Sequence, residues 1–159
     1  MIRLALYQPD IAQNTGTMLR LGACLGVGVE LIEPAGFLLT DRGLARAGMD
    51  YRDVAELTKH ASFTAFEAWR AATGRRLVLL STKASVSYLD FAFSADDVIM
   101  VGRESAGVPD DVHALADARL LIPMRPGLRS LNVALSAAMV LGEALRQTGT
   151  GPAMPPALG

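Results

Sequence analysis

Val98-Ile-Met-Val101 runs directly into Gly102-Arg-Glu-Ser-Ala-Gly-Val-Pro109, VIMVGRESAGVP in one-letter code. Four large apolar residues in a row, without alternation, describe a strand covered on both faces. Gly102 and Gly107 then permit close backbone approach, and Pro109 suits the start of a helix. Leu77–Leu80 is a second run of the same kind. Such strands need helices on both sides, so the chain reads as α/β, a single domain with a mainly parallel sheet flanked by helices. Glu104 adds a carboxylate at a strand's carboxyl end, where open α/β sheets bind ligands. A plain strand-to-helix turn with charges facing solvent is the competing reading.

The flanking sequence fits that frame. Residues 2–7 and 27–32 are short apolar runs closed by Gln-Pro-Asp and Glu-Pro, and 119–122 is a further strand. Helices are expected from Asn14, as cap, through TGTMLRLGACLG with Met18, Leu21 and Leu25 inward, and over 40–47, 65–72, 109–115 and 131–147. Gly74 is placed to end the third of these. Gly26-Val-Gly28 resembles a dinucleotide fingerprint, but it closes a helix and opens a strand, the reverse of the required order. The domain should span 1–148, and 149–159, GTGPAMPPALG, has no periodicity and reads as a flexible tail.

Bulk properties remove several classes of function. The 159 residues are 51% hydrophobic and 19% charged, which suits one folded domain and excludes wholesale disorder. No apolar run nears the roughly 20 residues of a membrane span, and the first ten residues lack a signal peptide's apolar region, so a cytoplasmic protein is expected. The one cysteine, Cys24, excludes an intramolecular disulfide and reads as a small buried helix residue. His60 and His113 stand apart without ligand-like neighbours, so no metal is expected. A net charge of −1 gives no general pull on nucleic acid, and RNA binding would need a local basic surface.

Two more segments join glycine, polar and basic residues beside a strand end. In Asn14-Thr-Gly-Thr-Met-Leu-Arg20, a cap and a solvated arginine compete with an arginine aimed at phosphate or ribose from an apolar helix. In IPMRPGLRSLN, residues 122–132, Ser130 is the expected cap of the last helix. Its capping-box partner is absent, because Val133 stands three residues on. The cap leaves Asn132, Gly127, Arg125 and Arg129 unexplained.

Taken in order, NTGTMLR, VGRESAGVP and IPMRPGLRSLNVALSAAMVLGEALR resemble the three motifs of the SPOUT superfamily of RNA methyltransferases. LYQPDIAQNTG, LIEPAGF, LARAGMDY and STKA look like its small single-domain branch, which 2′-O-methylates wobble nucleotide 34 of tRNA. The resemblance covers residues 1–148 and implies a C-terminal deep trefoil knot, a topology otherwise almost absent from proteins. It implies S-adenosylmethionine as cofactor, against Leu80, Ser81, Thr82, Gly102, Glu104, Ile122, Met124, Ser130 and Leu131. A homodimer with its active sites at the subunit interface follows from the same resemblance, and the apolar last helix suits such an interface.

The resemblance also makes Arg20 the key catalytic residue. A guanidinium stays protonated, so orienting the 2′-oxygen and stabilising developing alkoxide suit it better than removing a proton. Asn14 and Asn132 would hold the sugar or the arginine. Contacts to the tRNA anticodon loop are expected from Arg42, Arg46, Arg52, Lys59, Arg125 and Arg129, with Tyr51 stacking on an exposed base. One departure stands out: Gly142 precedes Glu143 where the branch often has tyrosine. Another tRNA or ribosomal position, or an RNA-binding homologue with weakened catalysis, is the alternative function.

Overall fold

The computed structural model describes residues 1–39 and 55–157. Their elements are, in order, β1 (Arg3–Tyr7), α1 (Ala12–Leu25), β2 (Gly28–Ile32), β3 (Leu57–His60), α2 (Phe63–Thr73), β4 (Leu77–Leu80), β5 (Val86–Ser87), a 3₁₀ turn (Tyr88–Asp90), β6 (Val98–Val101), α3 (Asp110–Leu115), β7 (Ala118–Leu121) and α4 (Val133–Thr148). The helix expected over 40–47 lies outside the described residues.

The strands form one seven-stranded sheet in the order β3-β2-β1-β6-β4-β7-β5, and every pairing is parallel. Both faces are covered, as the unbroken apolar runs require. On one face Leu4, Leu6, Ile99 and Val101 meet Met18 and Leu19 of α1 and Val140, Leu141 and Ala144 of α4. On the other, Ala5, Leu77, Leu79, Val98 and Met100 meet Phe66 of α2 and Val112 of α3. Helix α4 buries Ala134, Ala137, Val140, Leu141, Ala144 and Leu145, an i, i+3, i+4 stripe. Its opposite side leaves Leu135 and Met139 exposed.

Helix ends differ from the sequence expectation in physical detail. Helix α1 begins two residues before Asn14, and Ile11 at its cap makes no side-chain capping bond. Asn14 therefore lies inside the first turn with its side chain available for long-range bonding. Ser130 does not cap α4. Asn132 does, its Oδ1 accepting the N–H groups of Ala134 at 2.9 Å and Leu135 at 3.3 Å. Helix α4 thus starts two residues later than 131. Cys24 is exposed on α1 instead of buried, because the inward stripe runs through Thr15, Met18, Leu19 and Gly22. Leu21 and Leu25 are half-buried against that core. Gly26 and Gly74 cap α1 and α2 at φ 66° and 67°, the left-handed conformation glycine adopts without penalty.

Strands β3 and β5 have no counterpart in the sequence reading. The first carries Lys59 and His60, and the second has two residues; neither makes a four-residue apolar run. His60 is buried beside fully buried Glu30, with Nε2 and Oε2 2.6 Å apart, and Arg3 also bonds Glu30. Trp69 of α2 covers this cluster, its ring 5.9 Å from the Arg3 guanidinium carbon. Residues 152–157 carry no regular structure and are exposed, and no described helix is long and apolar enough to cross a membrane.

Candidate active site

A parallel sheet brings the carboxyl ends of its strands to one edge, and at that edge β6, β4 and β7 are consecutive neighbours. The loops that leave them enclose a cavity of about 790 Å³. After β4, Ser81 donates its N–H to Leu120 at 2.9 Å, and its Oγ accepts the Lys83 N–H at 3.1 Å. After β6, Arg103 and Gly107 exchange backbone bonds of 3.0 and 2.8 Å, which folds the glycine segment into a closed turn. A Cβ on Gly102 would stand 2.7 Å from the Gly107 Cα, so only glycine fits there. After β7, the chain turns at Gly127, φ 86°, and reaches the Asn132 cap of α4.

The structure gathers most of the sequence-selected residues around this cavity. Leu80, Ser81 and Thr82 line it from the first loop, and Gly102 and Glu104 from the second. Ile122, Met124, Arg125, Arg129, Ser130, Leu131 and Asn132 line it from the third, and Asn14 reaches it from α1. Arg20 lies on the exposed side of α1, outside the lining. Lys59 is also apart, on β3, where its Nζ donates to the Leu39 carbonyl at 3.5 Å. Arg42, Arg46, Tyr51 and Arg52 lie outside the described residues. Sequence reasoning passed over Lys83 and Arg103, two further cations of the lining, although each stands beside a selected residue.

Three polar residues of the site are bonded to one another across the fold. Asn132 Nδ2 donates to Asn14 Oδ1 at 3.1 Å, and Asn14 Nδ2 donates to Glu104 Oε1 at 3.4 Å. Burial first, and then the Asp10 carboxyl alongside, raise Glu104 above the usual carboxylate value. Among the described residues, no group of three or more His, Cys, Asp or Glu is placed to hold a metal ion.

The model of the SpoU rRNA methylase family matches residues 1–142, almost the whole domain. The chain belongs to this family. A relative in Beijerinckia indica subsp. indica, a tRNA (cytidine(34)-2′-O)-methyltransferase, is 69% identical over 92% of this chain and 91% of its own length. The SpoU fold is matched with a TM-score of 0.87 and 40% identity by a structure described as giving insights into 2-OH methylation of C/U34 on tRNA, covering 92% of this chain and 95% of that one. The SpoU methyltransferase AviRb of Streptomyces viridochromogenes, solved with its cofactor AdoMet, matches at 0.80 and 26% identity over 92% of this chain and 60% of its own. In SpoU terms, the cavity belongs to a family with members that bind a methyl donor.

Proposed function

We propose that this protein is a cytoplasmic tRNA methyltransferase that transfers a methyl group from S-adenosylmethionine to the 2′-hydroxyl of wobble nucleotide 34, cytidine or modified uridine. The observation that carries the reading is the cavity itself, built from three loops at the carboxyl edge of a SpoU sheet and lined by the sequence-selected residues. Its volume falls within the usual range for small-ligand sites. Leu80, Ile122 and Leu131 supply apolar wall for a purine, and the backbone around Gly102 supplies a surface without side chains. The residues present therefore fit the cofactor, which when bound supplies an activated methyl group.

The rest of the work falls to the chain's own groups. Methyl transfer to a hydroxyl is an in-line displacement, so holding the ribose in place supplies much of the rate. Asn14 and Asn132, already fixed to each other, orient the sugar, and Arg125 and Arg129 at the mouth of the cavity take phosphates. Arg42, Arg46 and Tyr51, outside the described residues, belong to this reading as further RNA contacts. Arg20 stabilises charge developing on the 2′-oxygen.

Arg20 lies outside the cavity of its own subunit, which favours a homodimer in which a second copy contributes to each site. The exposed apolar side of α4, with Leu135 and Met139 and then Gly142, whose missing Cβ would meet open space, suits that interface. The proposed domain is 1–148, with 149–159 as its tail. Strand β7 pairs between β4 and β5, although β5 precedes it in the chain. This order supports the trefoil knot, with the last segment threaded inside the loop that follows β4.

The test is methyl transfer to unmodified tRNA, with the product mapped by mass spectrometry. Label on ribose 34, lost in Arg20→Ala with cofactor binding retained, is the expected result. A product outside the anticodon loop overturns the wobble assignment.

A further inference from the structure

A ribose hydroxyl that attacks a methyl group must lose its proton, and a guanidinium cannot take it. The lining of the cavity offers three side chains that can: Glu104, Asp110 and His113. Asp110 is exposed on the first turn of α3, and the Nε2 of His113 is buried without a partner among the described residues. Glu104 alone of the three is bonded to Asn14, and through it to Asn132.

Behind Glu104 stands a second carboxylate that is not part of the lining. The Asp10 N–H donates to Glu104 Oε2 at 3.1 Å, and the Glu104 N–H donates to Asp10 Oδ1 at 3.2 Å. These reciprocal bonds hold two acids side by side. The Ser105 hydroxyl donates to the other Asp10 oxygen. The groups facing Glu104 are therefore Asp10 from the segment after β1 and the Asn14 amide from α1. In its own turn, Arg103 lies over the Tyr7 ring, its guanidinium carbon 5.6 Å away, and bonds the Gly107 carbonyl. Two carboxylates this close do not share charge equally. Bonds from Glu104 and then Ser105 hold Asp10 below the usual carboxylate value, while burial and Asp10 raise Glu104. Glu104 becomes the stronger base of the pair.

We propose that Glu104 accepts the ribose proton during methyl transfer and that Asp10 is the positioning residue that holds it there. This rests on the methyl-transfer reading above. As the new oxygen–carbon bond forms and the donor's carbon–sulfur bond breaks, the O–H bond releases its proton to a Glu104 oxygen. The products are a methyl ether, a neutral thioether and a neutral carboxyl. Activity then requires ionised Glu104, so the rate falls as pH drops through its pKa. Asp10 puts that fall at a higher pH than an isolated glutamate would give.

The experiment combines single-turnover pH–rate profiles with a ¹³C NMR titration of the Glu104 carboxyl in cofactor-free protein. Glu104→Gln should lower the transfer rate at saturating cofactor about 100-fold or more, the scale of general base catalysis. Asp10→Asn keeps an acceptor for the Glu104 N–H but removes the charge. It should move both the acid limb and the NMR midpoint to lower pH. A Glu104→Gln rate within fivefold of the parent, or an unmoved limb in Asp10→Asn, overturns the proposal. If Asp10→Asn fails to fold, the parent's own NMR midpoint decides, because a value at or below that of free glutamate also overturns it. Absence of any transfer by the parent protein removes the functional reading together with the proposal. Transfer that survives loss of the Glu104 carboxylate removes the proposal alone.

Discussion

Replacing Asn132 by alanine tests the structural reading of the whole third motif. Its Oδ1 accepts the N–H groups of Ala134 and Leu135, so its loss strips the cap from the sixteen-residue helix α4. Loss of such a cap costs about 1 kcal/mol. Its Nδ2 bond to Asn14 is exposed and adds roughly 0.5 kcal/mol, at the low end of the range for a hydrogen bond. The sum, about 1.5 kcal/mol, should lower the melting temperature by about 3–6 °C in a chain of this size. Ser130→Ala is the control, since that residue is exposed and the helix N–H groups turn to Asn132 instead. It should stay within about 0.5 kcal/mol of the parent. Urea unfolding at one fixed protein concentration measures both variants, so that the concentration dependence of any dimer is the same in each. If Ser130→Ala costs as much as Asn132→Ala, the cap assignment is wrong.

Glu30→Gln should lower stability by about 3 kcal/mol at neutral pH, because it leaves the largely buried Arg3 guanidinium without its buried counter-charge. A loss under about 1 kcal/mol in urea unfolding would refute the view that Glu30 balances this cluster. Gly102→Ala should weaken methyl-donor binding at least about tenfold, since its Cβ would press the Gly107 backbone and open the turn after β6. Calorimetry giving an unchanged affinity would show that this turn is not part of the cofactor wall.

The fold class was legible because it depends on a local property. A strand buried on both faces must be continuously apolar, and Val98–Val101 and Leu77–Leu80 are. Strand β3 was not legible, since its Lys59 and His60 break that pattern and His60 is buried only by pairing with Glu30, thirty residues away. Cys24 was misplaced because LGACLG looks uniformly apolar, whereas the inward stripe of α1 bypasses it. The two cap assignments failed for a related reason. Ser130 and Asn14 have good capping chemistry, but a cap is chosen by where the backbone enters the helix, and tertiary contacts set that point.

The polar residues of the site illustrate the opposite case. Local rules offered Ser130 as a cap, a role that Asn132 takes instead, and correctly gave Gly26 as a helix terminator. They gave no role to Asn132, which caps α4 through Oδ1 and still reaches Asn14 through Nδ2, and they left Asn14 and Glu104 with two readings each. These three form a single hydrogen-bonded chain, linking positions 90 and 118 residues apart. A polar residue without a local role must find its partners elsewhere or face water. When several such residues come from different strand ends of a parallel sheet, the sheet's carboxyl edge is where they can meet. Asp10 obeys the same logic one step further back: it lies outside the cavity, yet it and Glu104 each donate a backbone N–H to the other's carboxylate across 94 residues. Arg20 differs from these residues in standing outside the cavity lining. It is polar, carried by the same helix as Asn14, and points to the exposed side of α1.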